Sequence, residues 1–470
     1  MKLSCVLLLG LLAASTSLAE PWSPEPWLAD LEQMRQAFDT KYANRDWLIR
    51  EREFDLAAMF ERNATRLRDA GSDAEARVIL DRMVQRIGDG HVALVWPSVK
   101  ATTATAPSDL CTRLGYDANQ SSQGLGPALS GFRRVGNESD PFPAGTIDVQ
   151  GTRVGVLRIS IFLPHGTPQL CRSALTELNI RTDQSCDEHC ADSILTRAYD
   201  KLTNSLQDQV RALQAAGAKQ LLVDITSNGG GSEWAEAAAR VISPRPLQSA
   251  RWGFVRGEHW AKQWRDLANE LRNAAETASA SERAQLLAWA SEADTARQQA
   301  EKSCTGQPDC EWLGRAGFAT GLVGNARAGS FDGKPWGVHV FSPAQYPYRD
   351  SVWRGPVMVL VDDRTGSAAE EFASLLQDNH TAIVVGGRTA GAGCGYTNGG
   401  MPTTLPNSRV TLRLPDCVRF NVDGSNAVNG VIPDVVVGMR AQDGTKFKAK
   451  LVETKLPDAS RLAEKQMATR

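Results

Sequence analysis

The stretch Val357-Met358-Val359-Leu360-Val361, followed by Asp362-Asp363-Arg364-Thr365-Gly366 and then Ser367-Ala368-Ala369-Glu370-Glu371-Phe372, decides the fold. Five consecutive apolar residues ending at acidic turn formers read as a short strand buried on both faces. Residues 362–366 form the turn, and Ser367 to Gln377 has helical character. The same order occurs earlier. Gln220-Leu221-Leu222-Val223-Asp224-Ile225 is a buried strand, Asn228-Gly229-Gly230-Gly231 a glycine turn, and Glu233 to Val241 a helix. Val154 to Ile159 is a further β-rich run. It precedes a helical segment over 192–217, with Leu195, Tyr199, Leu202, Leu206, Val210 and Leu213 at helical spacing. Ala382 to Val385 adds another strand. Apolar strands alternating with helices imply an α/β core with a largely parallel sheet.

Outside these segments the chain changes character. Residues 27–87 carry apolar positions at helical spacing (Trp27, Leu28, Leu31, Met34, Phe38; Phe54, Leu56, Met59, Phe60) and predict a helical N-terminal domain over 20–96. Residues 97–152 are rich in Gly, Ser, Pro and Asn and predict an irregular connecting segment of loops and short strands. The core is expected in two halves, 153–243 and 351–440. Between them, 244–350 has a centre of helix-forming Ala, Glu, Gln, Arg and Leu, which predicts a helical insertion. Residues 441–470 are polar and predict a frayed C-terminal tail.

Net charge is −2 over 470 residues, with both signs spread along the chain. That argues against a nucleic-acid partner or a polybasic membrane binder. Residues 1–19 read as a signal peptide: Met1-Lys2, the apolar run Cys5 to Ala13, then Ser17-Leu18-Ala19 as the cleavage site. The run is shorter than the about 20 residues that span a bilayer. The expectation is therefore an exported protein, periplasmic or extracellular, without stable membrane insertion after cleavage. Of the nine cysteines, all but Cys5 would remain in the mature chain. An even number in an oxidising compartment implies disulfides. Cys186/Cys190 and Cys304/Cys310 are natural partners by proximity, and Cys111/Cys171 and Cys394/Cys417 could follow. A metal cluster of Cys171, Cys186, His189 and Cys190 with His165 is the competing reading, but its spacing matches no standard zinc pattern. No metal or organic cofactor is implied.

Three sites carry the chemistry: Asp89-Gly90-His91, the glycine turn after Asp224, and Thr365-Gly366-Ser367-Ala368-Ala369-Glu370. Acyl transfer needs a nucleophile, a base, and donors for the oxyanion. A serine at a helix N-terminus sits among free N–H groups and at the positive end of the dipole. A glycine turn lets a substrate carbonyl approach backbone amides. His91 is the available base near neutral pH. Each piece has a structural alternative. Ser367-x-x-Glu370 is also a capping box, the glycines also make a tight turn, and His91 and Asp89 also fit structural hydrogen bonds.

Taken together, DGH, LLVDITSNGGG, VMVLVDDRTGSAAEEFASLL, AIVVGGRTAG and NGVIPDVVV resemble the serine peptidases of the C-terminal-processing and tricorn-core family. The resemblance spans 81–96, 153–242 and 355–437. It implies a ClpP/crotonase-like core of stacked ββα units acting on a peptide or unfolded protein substrate. It assigns Ser367 as nucleophile, with Gly230 and Ala368 supplying the oxyanion hole. One family variant uses a lysine downstream of the serine, but Thr389 to Gly395 contains none. The other uses a histidine from the earlier motif, which selects His91. Two departures stand out. Gly90 replaces the serine that precedes the histidine in tricorn-like members, and the glutamate before the late GV-x-PD motif is missing. Asn426 is the candidate to orient His91, with Ser425 and Asp423 behind it. No PDZ module is recognisable in 97–152. The competing functional class is a catalytically inactive binding protein, for a hydrophobic ligand or a peptide, on the same fold. The absence of G-x-S-x-G around Ser367 argues against an α/β-hydrolase, and export argues against acyl-CoA chemistry.

Overall fold

The computed structural model describes residues 22–97, 109–302, 304 and 310–469. Residues 1–19, expected to be a signal peptide, lie outside them. At the centre is a seven-stranded sheet. Across it run Val435–Val436, Ile383–Gly386, Val357–Val361, Gln220–Asp224, Thr152–Arg158, Ala144–Val149 and Arg133–Val135. The first five strands are mutually parallel, and the last two join antiparallel.

Register turns the apolar runs into two cores. Leu157, Val223, Val359 and Val384 align across the sheet and face one side. Their neighbours Val156, Leu222, Met358 and Ile383 align on the other. This is why the strands read as unbroken apolar runs: neither face meets water. Helices Glu188–Ala215, Trp234–Ile242 and Ala368–Asp378 cover the first side. Truncating Leu222 to Ala should cost about 2–5 kcal/mol, the usual penalty for a cavity in a closed core.

The second side corrects the expected frayed tail over 441–470. Residues Thr445–Glu453 and Leu456–Ala468 are helices, and Ala449, Val452, Leu456, Ala459 and Ala463 pack on the sheet. Their spacing makes one apolar stripe of small side chains, which the many lysines around it obscure in composition. The expected core boundary at 153 is also too late. Strands Arg133–Val135 and Ala144–Val149, in the segment expected to be irregular, form one edge of the central sheet.

Helices Glu25–Lys41, Leu56–Asp69 and Asp73–Gln85 share a separate core with Leu405, Val410, Leu412 and Leu414. The late segment thus returns to the N-terminal helices, and Ala93–Val95 pairs with Thr411–Arg413. The insertion is a helical hairpin, Glu258–Thr277 and Ala280–Glu301. Strands Arg251–Val255 and Leu313–Phe318 flank it and pair in one antiparallel sheet with Cys417–Phe420. Disulfides join Cys111–Cys171, Cys186–Cys190, Cys304–Cys310 and Cys394–Cys417. Cys171, Cys186 and Cys190, the thiols of the competing metal reading, are therefore all bridged. Among the described residues no helix is long and apolar enough to cross a membrane.

Candidate active site

Strand Val357–Val361 delivers its turn to the rim of the sheet. Thr365 Oγ1 donates to the Ile225 carbonyl (3.0 Å), and Gly366 N–H donates to the Asn228 carbonyl (3.0 Å). The serine turn is thereby fastened to the glycine turn. Ser367 adopts φ +55° and ψ −124°, a conformation rare for a residue with a side chain. Such strain costs of order 1–3 kcal/mol and persists only where surrounding contacts enforce it.

The enforcing group is Glu370. Its buried carboxylate accepts from Ser367 N–H (3.1 Å), Ala392 N–H (2.7 Å), Gly391 N–H (2.7 Å) and Thr389 Oγ1 (2.5 Å). It therefore locks the serine turn to the 389–392 loop. The capping-box spacing pointed to Glu370 as a helix cap only, and nothing local in the sequence signalled its bonds to 389–392.

That loop also seats the histidine. Gly90 N–H donates to the Gly391 carbonyl (3.1 Å). Asp89, fully buried, accepts from His91 N–H through Oδ1 (2.9 Å), and from Tyr42 Oη (3.0 Å) and Asn44 Nδ2 (2.8 Å) through Oδ2. Burial pushes the Asp89 carboxyl up to about 6, against the pull of these three donors. Tyr396 Oη donates to the His91 carbonyl, and its ring meets the imidazole edge-on at 5.5 Å. The outcome is His91 Nε2 at 3.0 Å from Ser367 Oγ, across 276 positions of chain. Burial first, and then the Arg419 charge, depress the imidazole to about 4. The ring is neutral at ordinary pH.

Two expected roles are not met by the geometry. Asn426 does not touch the imidazole. Its Nδ2 donates to Asn44 Oδ1 (2.7 Å) and its Oδ1 accepts from Val428 N–H (3.0 Å). It reaches the histidine turn only through Asn44 and Asp89. Ser425 N–H donates to Asp423 Oδ1 (2.9 Å) and Ser425 Oγ accepts from Asn421 Nδ2 (3.0 Å) instead. His91 Nδ1 is buried without a hydrogen-bond partner. The Ala392 and Cys394 main chain lies close enough to draw on the ring, though neither carbonyl reaches hydrogen-bond geometry.

The second concerns the expected oxyanion donor Gly230, whose N–H is engaged by Asn228 Oδ1 at 2.9 Å. Neither Gly231 N–H nor Ala368 N–H is bonded to an acceptor among the described residues, and both residues line the cleft. Gly230 serves by having no side chain. With φ +112°, a Cβ there would lie 2.7 Å from the Ser367 Cβ and 2.9 Å from the Ala368 nitrogen.

The cleft is a cavity of about 500 Å³ between the core and the insertion. Arg419 closes one wall, donating to Glu371 Oε2 (2.8 Å) and to the Gly393 carbonyl (2.8 Å). Burial raises the Glu371 carboxyl while Arg419 pulls it down. Sequence reasoning missed Arg419 and Tyr396, which stand in no motif and are recruited by folding alone.

The sequence model of peptidase family S41 matches residues 153–437, more than half the chain. The chain belongs to peptidase family S41. No curated relative matches this S41 chain at the sequence level. Among solved structures, it is similar to mature CPAF at 14% identity, covering 95% of this chain and 98% of that one, with a TM-score of 0.61. Mature CPAF complexed with lactacystin aligns at 14% identity over 95% and 99% of the two chains, TM-score 0.59. A putative peptidase from Parabacteroides merdae aligns at 14% identity over 94% and 97%, TM-score 0.50. At these identities the likeness is one of fold. The S41 membership makes the chain a peptidase.

Proposed function

We propose that this peptidase is an exported serine enzyme in which Ser367 is the nucleophile and His91 its base. The observation that carries the reading is the 3.0 Å separation of His91 Nε2 and Ser367 Oγ at a helix N-terminus with an unbonded Ala368 N–H. A neutral imidazole with its proton on Nδ1 leaves Nε2 free to accept the hydroxyl proton. Ser367 Oγ attacks the scissile carbonyl, and the oxyanion is received by Ala368 N–H and Gly231 N–H. His91 then returns the proton to the leaving amine, and water hydrolyses the acyl-enzyme by the reverse sequence. Gly230 shapes this oxyanion site through its missing side chain. Asn426 acts at a distance, by bracing Asn44 and Asp89 behind the histidine turn.

The substrate class is a peptide or unfolded protein, in keeping with the family. Export to the periplasm or outside the cell is supported by four disulfides, which persist in oxidising compartments. The unpartnered His91 Nδ1 favours one competing reading, an inactive peptide-binding protein. Digestion of unfolded casein separates the two. Degradation by the wild-type chain that stops in Ser367→Ala supports the enzyme, and binding without cleavage by both proteins supports the binder.

A further inference from the structure

The catalytic cleft does not end at Asn398. Trp252, Thr397 and Asn398 line both it and a second cavity of about 560 Å³ under the insertion. That second cavity is walled by Trp252, Trp260, Trp264 and Phe318. The rings already pack on one another, with Trp252 edge-on to Trp260 at 5.8 Å and Trp260 tilted to Trp264 at 6.0 Å. Two features separate this space from an ordinary apolar dimple. The indole N–H groups of Trp252 and Trp264 are buried with no acceptor, and Trp264 as a whole is only 7% exposed. An indole N–H is a donor only, so each lacks a carbonyl or similar acceptor. Polar groups at the rim lie against one another: Lys262 against Asp266 (2.6 Å), Glu270 against His339 (3.2 Å) and His259 against Asp416 (3.1 Å).

We propose that this cavity is a specificity subsite that takes an aromatic side chain of the substrate, a few residues from the scissile bond. The inference rests on the peptidase reading of the Ser367 cleft, since continuity with that cleft is what selects a peptide as occupant. Offset and edge-to-face packing against three indoles rewards an aromatic ring over an aliphatic side chain. The shared wall is held in place from the insertion side. His259 Nε2 lies 3.1 Å from the Thr397 carbonyl, and Asn398 Nδ2 donates to Gln263 Oε1 (2.6 Å). The insertion thus builds the second cavity and fixes its junction with the first.

The test uses full-length Ser367→Ala protein and hexapeptides of Ala and Ser that carry a single Phe or, as control, none. Tryptophan emission is followed on titration. The Phe peptides should produce a saturable change and bind at least about tenfold more tightly than the control. Trp252→Ala on the same background should abolish that preference. Trp264→Phe replaces the indole by a smaller aromatic ring, and should weaken Phe-peptide binding several-fold without loss of fold by circular dichroism. In parallel, kcat/KM of the Ser367 enzyme is measured with the Phe moved along the peptide. Equal binding of Phe and control peptides, or Phe preference unchanged in both Trp variants, overturns the subsite. Hydrolysis without Phe preference sinks the subsite alone. Phe-selective binding without any Ser367-dependent hydrolysis sustains the subsite and sinks the peptidase reading.

Discussion

A Cβ placed on Gly90 would lie 2.9 Å from the Cβ of Ala392 and 3.2 Å from its Cα. The histidine turn and the 389–392 loop are in direct contact here, which leaves no room for a side chain at position 90. Gly90→Ala should therefore displace the His91 turn. The expected result is a loss of about 1–3 kcal/mol in stability and a fall in kcat/KM. Ala392→Gly in the same chain should recover much of both. Thermal melts and peptide hydrolysis of the single and double variants check it, and additive losses would contradict the contact.

Glu370 receives two donors on each carboxylate oxygen. Glu370→Gln places an NH2 against two of them whichever way the amide turns. Leaving buried donors unsatisfied costs about 1–3 kcal/mol each. The melting temperature should fall, and kcat should fall more than KM rises because Ser367 loses its enforced φ. A variant with wild-type kcat would remove Glu370 from the positioning of the serine.

His91 is depressed to about 4, chiefly by burial. The acid limb of kcat/KM should therefore bend near pH 4 instead of near the free-histidine value of about 6.5. The linkage has the same sign. The unfolded chain binds a proton below about 6.5 that the folded chain refuses until about 4. This stability contribution is thus complete above the unfolded value and is lost as pH falls through that window. Asp89, raised to about 6, does not touch the ring. Asp89→Asn should keep the limb near 4 in place. A limb at 6.5 in the wild-type profile would contradict a buried neutral base.

Cys394–Cys417 closes a span of 23 residues and ties the segment beside Gly395 and Tyr396 to the strand that carries Arg419. Replacing both cysteines by Ala should lower stability by roughly 3 kcal/mol through the freed unfolded chain. Loosening Tyr396 against His91 should reduce turnover as well. Calorimetry and kinetics of the double variant read the two effects, and a full-rate variant would show that the bridge serves stability alone.

The parallel sheet was legible because its strands are short, branched and buried on both faces, so Val357 to Val361 and Gln220 to Asp224 announce themselves without context. His91 and Ser367 were legible because each sits in a motif whose residue types chemistry requires. Asn426 failed as an orienting residue for a physical reason: nearness to a motif in sequence carries no information on which way a side chain points. Gly230 failed as a free donor because Asn228, two residues earlier, folds back on its N–H. The C-terminal helices were hidden by lysine-rich composition around an alanine stripe. Glu370, Tyr396 and Arg419 act through contacts that only the folded chain creates.

The central claim is that an imidazole activates one particular hydroxyl. Intact-mass analysis of the chain exposed to a fluorophosphonate tests it most directly. One adduct per chain is expected, mapped to Ser367, absent in Ser367→Ala and formed about 10²–10⁴-fold more slowly in His91→Gln. An unreactive wild-type chain, or a His91→Gln chain that is modified at the wild-type rate, would contradict it.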